Sequence, residues 1–440
     1  MSGRRVLLIS HDPVGVEMAG LGIRYSELAG VLAATGASVT VAHGGRDATT
    51  LTSGVETVPF SAHAPGRIKS LIDQADVVVA HPQWPFVMRW LRRCEARVIF
   101  DLYDPETLET LELFRGKRRA VRRLMGHATL DRLHSALRTG HHFMCASEAQ
   151  RDLWLGSLLA LRLIDPPAYD RDPSLRDLID VVPFGLPAAP PELTGPEVQG
   201  PRERFQDAVG HDTELVLWNG GIWRWLDAAT AIRAVAQLAM RRPSIRLVFM
   251  GASTQPAARA ATDAARALAA DLGVLDRIVV FNDRWVPYAE RGAWLKQAAC
   301  ALTAHPDHVE TRFAFRTRVL DCFWAGLPVV STTGDDLAER VARDGLGAIA
   351  PAGDAEALAT AIERTLDRGR AAYATALAEA AAQFAWPIAA APLVNWALAP
   401  GPVPPRPGDT PGALRPPGGQ RAREAAYRLA VRRVLAHRGG

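Results

Sequence analysis

The sequence contains very little lysine, few cysteines and no long apolar run. Lysine occurs only at Lys69, Lys117 and Lys296, so arginine supplies almost all of the 51 basic side chains. Arginine binds phosphate in a bidentate manner, although a GC-rich genome would also produce this bias. The four cysteines lie far apart within apolar segments. This spacing indicates buried thiols, and it argues against a disulfide framework or a metal cluster.

Membrane spans and nucleic-acid binding have no support in the sequence. A span needs about 18 uninterrupted apolar residues, which are absent, and the apolar run near the N-terminus is too short for a secretory signal. The net charge of +4 is small for 440 residues. No basic groove with interleaved aromatic residues is present. We therefore expect a cytoplasmic protein without a nucleic-acid partner.

Short apolar runs alternate with helical patterns along most of the chain. "RRVLLISHD" is followed by a glycine-bearing loop, a helical pattern and the β-branched run "ASVTVAHGG". Further apolar runs follow, among them "DVVVAH", "ARVIFDLYD", "ELVLWNGG", "IRLVFMG" and "LPVVST". Apolar strands separated by helices predict parallel sheets covered on both faces. The fold class is thus α/β, with two doubly wound, Rossmann-like domains.

A Pro-rich stretch separates the two series of strands, and a Pro/Gly-rich stretch follows them. The terminal segment "RAREAAYRLAVRRVLAH" is a candidate basic amphipathic helix, which would contact either an anionic membrane or its own protein. The predicted segments are 1–186 for the first domain, 187–206 for a linker, 207–384 for the second domain, 385–400 for a returning segment, 401–420 for a disordered tail and 421–440 for the basic helix.

Loops that follow strands are the places to look for ligands, because open parallel sheets bind them outside the carboxyl ends of the strands. In the first such loop, Gly20 and Gly22 precede a helix and would let the backbone approach an anion. A dinucleotide fingerprint would need glycine where Tyr25 stands, so a nicotinamide cofactor is not expected. In the second domain, Gly220, Gly221 and Arg224 follow a strand; they indicate either a phosphate site or a tight turn.

The stretch "HVETRFAFRTRVLDCFWAGLPVVST", residues 308–332, places several charges before a buried strand. If a helix begins near Phe315, its N-terminal amides and the side chains of Arg316 and Arg318 form a pocket for a diphosphate. Thr317 and Asp321 then share one helix face, where Asp321 could accept hydrogen bonds from ribose hydroxyls. Glu310 could reach the attached sugar. The alternative is a salt-bridge network between the domains.

These segments resemble the retaining nucleotide-sugar glycosyltransferases of family 4, which have the GT-B fold of two domains facing each other across a cleft. The resemblance covers about residues 4–395 and includes "MAGLGIRYSELAGVLAATGASVTVA", "FDLYDPE", "LWNGGIWRWLD" and "FNDRWVPYAERGAWL". The segment "RVLDCFWAGLPVV" is the strongest match. The resemblance implies a nucleotide-diphosphate-sugar donor and transfer with retention of anomeric configuration.

The resemblance also implies roles for individual residues. It places the donor phosphates at the glycine loops and at Arg224, and the ribose at Asp321. It places the backbone of Val286 against the base. On the acceptor side, a carboxylate at Asp101 or Asp104 would orient a hydroxyl. The full set of candidates is Glu310, Arg316 and Asp104 for catalysis; Gly20, Gly22, Asn219, Gly220, Gly221, Arg224, Val286, Thr317, Arg318 and Asp321 for the donor; and Arg24, His81 and Asp101 for the acceptor.

The sequence departs from the family at two positions. The family has two glutamates eight positions apart, but the residue eight before Asp321 is Phe313, so the first acid is either Glu310 or lost. No lysine follows Arg224, and Arg316 or Arg318 would replace it. We expect no metal and no cofactor, because there is no Asp-x-Asp motif; "GDD" at 334–336 is interpreted as a loop and helix cap.

The acceptor is not identified by the sequence. The basic segment "FRGKRRAVRRLMG", residues 114–126, would hold a phosphorylated or lipid-linked acceptor or a membrane surface, or it is a solvated helix face. Two further hypotheses stay open beside glycosyl transfer. One is a nucleotide-sugar epimerase or phosphorylase, and the other is a non-catalytic protein that binds nucleotide sugars. The sequence does not indicate the oligomeric state.

Overall fold

The fold is described from a computed structural model, which describes residues 3–15, 18, 20–51, 53–61, 65–191, 199–251, 256–284 and 286–414. The chain forms two compact units. The first unit comprises Met1–Gly185 and Trp386–Gly440, and the second comprises Leu186–Ala385. The basic helix predicted at 421–440 lies outside the described residues.

Apart from the strand Glu56–Pro59, the strands follow one another in the order that the apolar runs predict. The N-terminal part forms β1 (Arg5–Ser10), α1 (Gly20–Ala34), β2 (Ser38–His43), β3 (Glu56–Pro59), α2 (Pro65–Gln74), β4 (Val77–Ala80), α3 (Pro85–Leu91), β5 (Arg97–Asp101), α4 (Glu106–Leu113), α5 (Arg119–Thr139), β6 (His142–Cys145), α6 (Glu148–Ala160), α7 (Pro166–Arg171) and β7 (Ile179–Val181). The second unit forms α8 (Pro201–Arg204), β8 (Glu214–Gly221), α9 (Ala228–Ala239), β9 (Ile245–Gly251), α10 (Pro256–Asp271), β10 (Val279–Phe281), α11 (Arg291–Gln297), β11 (Cys300–Thr303), α12 (Val309–Phe313), α13 (Thr317–Ala325), β12 (Val329–Thr332), α14 (Asp336–Arg343), β13 (Gly347–Ala350), α15 (Ala355–Arg368) and α16 (Ala374–Gln383). The chain then returns to the first unit with α17 (Trp386–Ala389) and α18 (Ala391–Leu398), and three short 3-10 helices lie at Tyr288–Glu290, Arg370–Tyr373 and Pro407–Asp409.

Each unit is built on one parallel sheet. The first sheet has seven strands in the order β3-β2-β1-β4-β5-β6-β7, and the second has six in the order β10-β9-β8-β11-β12-β13. In both sheets the first strand of the unit, β1 or β8, is an interior strand, and later strands lie on both sides of it. The direction reverses between β1 and β4 in the first sheet and between β8 and β11 in the second. Doubly wound sheets bind ligands at this reversal, outside the carboxyl ends of the strands.

The strands are apolar because helices cover both faces of each sheet. Val77, Val78, Val79 and Ala80 of β4 are fully buried. Separate apolar cores surround the two sheets, one including Phe100 and Phe143 and the other Trp218 and Phe249. Burial of this kind is the main favourable contribution to folding. Among the described residues, no helix is both long and apolar enough to cross a membrane.

The segment after α18 differs from the disordered tail predicted for 401–420. Residues 401–414 are described and follow the first unit closely. The Arg406 guanidinium donates to the carbonyl oxygens of Thr139 and Cys94, both at 3.0 Å. The Leu414 N–H donates to the carbonyl oxygen of Leu161 at 3.1 Å. Arginine thus anchors a Pro/Gly-rich segment whose composition alone suggested disorder.

The cysteines are free thiols. Cys145, Cys300 and Cys322 are buried as predicted, whereas Cys94 is only half-buried. Burial raises the pKa of all four thiols, so they stay protonated and unreactive near neutral pH.

Candidate functional site

The second sheet brings two charged and glycine-rich segments to the point where its strand order reverses. β8 ends with Asn219, Gly220 and Gly221, and the segment after β11 leads through α12 to α13. The pairing of β8 with β9 shifts register between Trp218 and Gly221. Gly220 has φ of +127°, a conformation that side chains with a Cβ rarely adopt. The glycines thus allow β8 to bend at its carboxyl end.

Glu310 and Arg316 form a buried ion pair in this region. Glu310 is 2% exposed and Arg316 7%. Arg316 Nη2 lies 3.0 Å from Glu310 Oε2, and His308 Nδ1 lies 3.7 Å from the same oxygen. α13 begins at Thr317, two residues later than the sequence predicted, and the short helix α12 carries Glu310. This ion pair lies wholly within the second unit, so it is not the network between the domains that was considered as the alternative.

Three polar atoms in this cluster have no partner. They are Glu310 Oε1, Arg316 Nε and Arg318 Nη1, all of which are buried and unbonded. A buried polar atom without a hydrogen bond destabilises the folded state by about 1–3 kcal/mol. Three such atoms within one short segment indicate a site whose hydrogen bonds are completed by a ligand.

Arg318 lies between the glycine loop and the ion pair. Its Nη2 donates to the carbonyl oxygen of Gly221 at 3.2 Å, and its own carbonyl oxygen accepts from Asn219 Nδ2 at 2.7 Å. Burial, together with the positive charge of Arg316, lowers the pKa of Arg318 to about 10. Two neighbouring guanidinium groups, of which only Arg316 is paired with a carboxylate, leave an excess positive charge, which suits an anion with several oxygens.

Asp321 is half-buried on α13, four residues after Thr317. Its Oδ1 accepts from Arg291 Nε at 3.1 Å. The Arg291 guanidinium also lies 3.5 Å from the Tyr288 ring centroid and 4.4 Å from that of Trp324. The carboxylate expected to bind ribose is thus held in place by a stacked arginine.

Two donor candidates lie away from the ion pair. Arg224 is exposed in the loop after β8. Val286 is half-buried after β10, a strand at the edge of the sheet. Asp335 is another acid of this region, and its Oδ1 accepts from the N–H groups of Leu337 at 2.9 Å and Ala338 at 3.0 Å. The interpretation of "GDD" as a helix cap is confirmed, and burial raises the pKa of Asp335 to about 6.

The first sheet has a cavity of 210 Å³ at its own reversal of strand order. The residues after β1, β4 and β5 contribute to its wall, as do α4, α5 and α6. The polar lining consists of His11, Asp12, His81, Asp101, Tyr103, Asp104, Glu106, Thr107, Glu109 and Thr129. This cavity includes two of the three residues predicted for the acceptor side, His81 and Asp101.

Asp101 is not available to an acceptor, because it is paired with Arg24. Both side chains are fully buried, and Arg24 Nε lies 2.7 Å from Asp101 Oδ2. Arg24 also donates to the carbonyl oxygens of Pro183 at 2.9 Å and Val182 at 2.8 Å. We therefore assign this pair to the structure of the first unit. Of the two carboxylates predicted to orient an acceptor, Asp104 is the remaining candidate.

Asp104 lines the cavity, and no described residue donates a hydrogen bond to its carboxylate. Burial, together with the negative charge of Asp101, raises the pKa of Asp104 to about 7. His81 and His11 contact each other through their ring nitrogens. Burial lowers the pKa of His11 to about 4 and that of His81 well below its ordinary value, so both rings are neutral at pH 7.

The two glycines predicted to approach the donor have different environments. A Cβ on Gly22 would lie 2.3 Å from the carbonyl oxygen of Pro13, so this glycine lets α1 pack on its own preceding loop. A Cβ on Gly20 would meet nothing within 4 Å. Gly22 is thus explained by packing, and the contact of Gly20 with a donor stays a prediction.

Sequence analysis missed Asp12 and Glu106 in the cavity. Asp12 follows β1 directly, and Glu106 begins α4 after β5. The rule that ligands bind beyond the carboxyl ends of strands could have identified Asp12. Among the described residues, no group of three or more histidine, cysteine or acidic side chains is arranged to hold a metal ion.

Comparison with known proteins gives the class of this fold. Residues 213–368 match the family described as Glycosyl transferases group 1. A comparison with curated protein sequences found no match. Similar solved structures include a glycosyltransferase from Rickettsia africae, with a TM-score of 0.63, 14% identity, and coverage of 91% of this chain and 100% of that one.

Two further solved structures are similar over almost the same span. Sucrose-phosphate synthase from Thermosynechococcus elongatus has a TM-score of 0.61 and 16% identity, covering 89% of this chain and 97% of its own. Anabaena HepE in complex with UDP and glucose has a TM-score of 0.60 and 14% identity, covering 89% and 98%. Residues 213–368 of the second unit are thus similar to the glycosyl transferases group 1 family, and the chain has the fold of the GT-B glycosyltransferases.

Proposed function

We propose that this protein transfers a sugar from a nucleotide-diphosphate donor to a hydroxyl of an acceptor. The second unit binds the donor and the first unit binds the acceptor. No cofactor is part of this proposal. The match to a group 1 domain and the complex of HepE with UDP and glucose support a nucleotide-sugar donor.

The observation that carries the proposal is the set of unpartnered atoms around the Glu310–Arg316 pair. Arg316 Nε and Arg318 Nη1 are buried donors without acceptors, and Glu310 Oε1 is a buried acceptor without a donor. A diphosphate supplies several acceptor oxygens, and a sugar supplies hydroxyl donors. One sugar diphosphate would therefore complete all three groups.

The chemistry follows from these charges. When the bond between the sugar and the diphosphate breaks, negative charge develops on the leaving oxygen. Arg316 and Arg318 would stabilise this charge, because preorganised donors in a partly buried site act strongly on a developing anion. Glu310 would hold a sugar hydroxyl and fix the donor's orientation. We propose retention of configuration, with the leaving diphosphate taking the acceptor proton, on the strength of the resemblance to family 4.

The basic segment 114–126 supports contact with an anionic membrane surface. Its cations lie at the start of α5 and are exposed, and no described residue pairs with them: Lys117, Arg118, Arg119, Arg122 and Arg123. Leu111 and Leu130 are exposed nearby, at 48% and 40%. Exposed cations of this kind are attracted to anionic lipid headgroups by about 1 kcal/mol each. We include peripheral binding in the proposal.

A transfer assay tests the function and separates it from the alternatives. Sugar nucleotides labelled in the sugar are incubated with the protein and a panel of hydroxyl acceptors. If the protein transfers the sugar, the label should appear in a new product only when an acceptor is present. An epimerase would place the label in an isomeric sugar nucleotide without any acceptor. Bound but unchanged sugar nucleotide under all conditions would contradict the proposal.

A further inference from the structure

The cavity in the first unit carries negative charge that the described residues do not neutralise. Asp12 and Asp104 both line it, and neither carboxylate has a described cation or hydrogen-bond donor as a partner. Asp12 follows β1 and Asp104 follows β5, so the two acids reach the cavity from separate strands. The two acids thus lie where the strand order of the sheet reverses. Doubly wound sheets bind ligands at this place.

Glu109 is a further acid of the lining, and the other charged groups around the cavity are either paired or neutral. Arg24 neutralises Asp101, and Arg132 pairs with Glu106. The histidines His11 and His81 are neutral at pH 7, because burial lowers the pKa of each. When Asp12 and Asp104 are ionised, negative charge is therefore in excess, which disfavours phosphate or carboxylate on a ligand.

The shape of the cavity restricts the size of its ligand. Its volume is 210 Å³, and one wall is apolar, formed by Leu102, Leu133 and Trp154. Small-molecule sites combine such apolar walls with a few polar groups that fix the orientation of the ligand. A single sugar-like ring, with hydroxyls on its edge and an apolar face, has the size and chemistry of this space.

We propose that the acceptor is a small polyhydroxylated ring that carries a protonated amine, as in an amino sugar or an aminocyclitol. The ammonium group lies between Asp12 and Asp104, and a neighbouring hydroxyl receives the sugar. This inference rests on the proposed function, because it concerns the acceptor of that reaction. It differs from the phosphorylated acceptor that the basic segment 114–126 suggested.

The protonation of Asp104 provides a second signature. Burial and the carboxylates Asp101, Asp12 and Glu106 raise its pKa to about 7, while the positive charge of Arg24 lowers it. Glu109, Arg132 on α5 and the neutral rings of His11 and His81 also lie around the cavity. An ammonium beside Asp104 favours its ionised form, so binding near pH 7 releases a proton. The affinity for a ligand whose amine stays protonated over this range should therefore increase between about pH 6 and pH 8.

Calorimetric titration of the full chain with three matched sugars tests the inference. The probes are D-glucosamine, D-glucose and D-glucose 6-phosphate. We expect glucosamine to bind at least about tenfold more tightly than glucose, which corresponds to about 1.4 kcal/mol. Glucose 6-phosphate should bind most weakly. Asp12→Asn and Asp104→Asn should each reduce the preference for glucosamine to within about twofold. Asp152→Asn, at an exposed position on α6, should keep the preference.

Several results would overturn the inference. Equal affinity for glucosamine and glucose, tightest binding of glucose 6-phosphate or no binding of glucosamine overturns the inference. So does a preference that persists in both cavity variants. Nucleoside diphosphate binding is measured on the same samples. If it is retained while the amine preference is absent, the inference on the acceptor fails and the proposed transfer function stands.

Discussion

Glu310 and Arg316 are joined by a 3.0 Å ion pair in the second unit, and each keeps one buried polar atom without a partner. A pair that only stabilised the fold would be expected to satisfy its buried atoms internally. This pair instead leaves an acceptor on Glu310 and a donor on Arg316. Glu310 and Arg316 thus contact each other, and each also keeps a polar atom that a ligand could bind.

Variants of this pair separate the structural role from the catalytic one. Glu310→Gln leaves a buried cation uncompensated and should lower the free energy of unfolding by about 3–5 kcal/mol. The double variant Glu310→Leu/Arg316→Met removes both charges and should recover most of that loss. Transfer should fall on the order of 100-fold or more in both. Urea unfolding and the transfer assay check this; a stable double variant with normal transfer would show that the pair is only structural.

Arg318→Met tests the excess positive charge. Because Arg318 Nη1 is buried without a partner, the variant should be at least as stable as the wild type in the absence of ligand. It should also lose most of the stabilisation that a nucleoside diphosphate provides. Arg233→Met, at an exposed position on α9, is the matched control. Undiminished nucleotide binding by Arg318→Met would remove this residue from the donor site.

Gly220→Ala tests the bend at the end of β8. Alanine at φ of +127° is strained, and its Cβ would lie 3.4 Å from the Arg318 guanidinium carbon. We expect a loss of about 1–3 kcal/mol in unfolding free energy together with weaker nucleotide binding. Gly210→Ala is the control, since its Cβ would meet nothing within 4 Å. Equal effects of the two substitutions would contradict the role of the bend.

The raised pKa of Asp104 predicts a specific pH dependence. Its pKa moves from 3.8 to about 7 on folding, so the folded state holds the proton more tightly than the unfolded state. Ionisation of Asp104 should therefore reduce stability as the pH rises from about 4 to about 7. Asp104→Asn should match the wild type near pH 4. It should be more stable near pH 8, by up to about 4 kcal/mol at about 1.36 kcal/mol per pKa unit. Unfolding in urea at both pH values measures the difference, and a variant less stable at pH 8 would contradict the assignment.

Peripheral membrane binding is tested with vesicles. The protein should sediment with vesicles that contain phosphatidylserine and stay in solution with purely zwitterionic vesicles. Replacing Arg118, Arg119, Arg122 and Arg123 by serine should reduce binding, as should high salt. Replacing the exposed arginines Arg233 and Arg277 of the second unit should leave it unchanged. Binding that is independent of lipid charge would contradict a role for the basic segment.

The architecture follows from the sequence because buried parallel strands are apolar throughout. Val77–Ala80 is such a run, and so is the strand Val279–Phe281. The strand Glu56–Pro59 was missed, since it is four residues long and begins with a charge. The prediction of disorder after residue 400 was wrong for 401–414, because composition does not reveal that Arg406 finds carbonyl acceptors on a distant helix.

The candidate site was only partly predictable. Arg316, Arg318 and Asp321 could be selected as candidates because they lie within one short segment before a buried strand. The pairing of Arg24 with Asp101 was not foreseen, since the two residues are 77 positions apart. The acidic cavity depends on the order of strands in the sheet, which brings Asp12 and Asp104 to the same edge. Sequence patterns predict where the strands are, but not which strands lie next to each other in the sheet.

Binding of a nucleoside diphosphate is the most direct test of the donor site in the second unit. Thermal denaturation would be followed with UDP, GDP, ADP and TDP, for the wild type and for Arg318→Met. A ligand at 100 times its dissociation constant stabilises the folded state by about 2.7 kcal/mol. We predict that at least one nucleoside diphosphate raises the Tm of the wild type and that Arg318→Met abolishes most of this shift. No shift with any of the four, in a sample that unfolds cooperatively, would contradict a nucleotide-sugar donor.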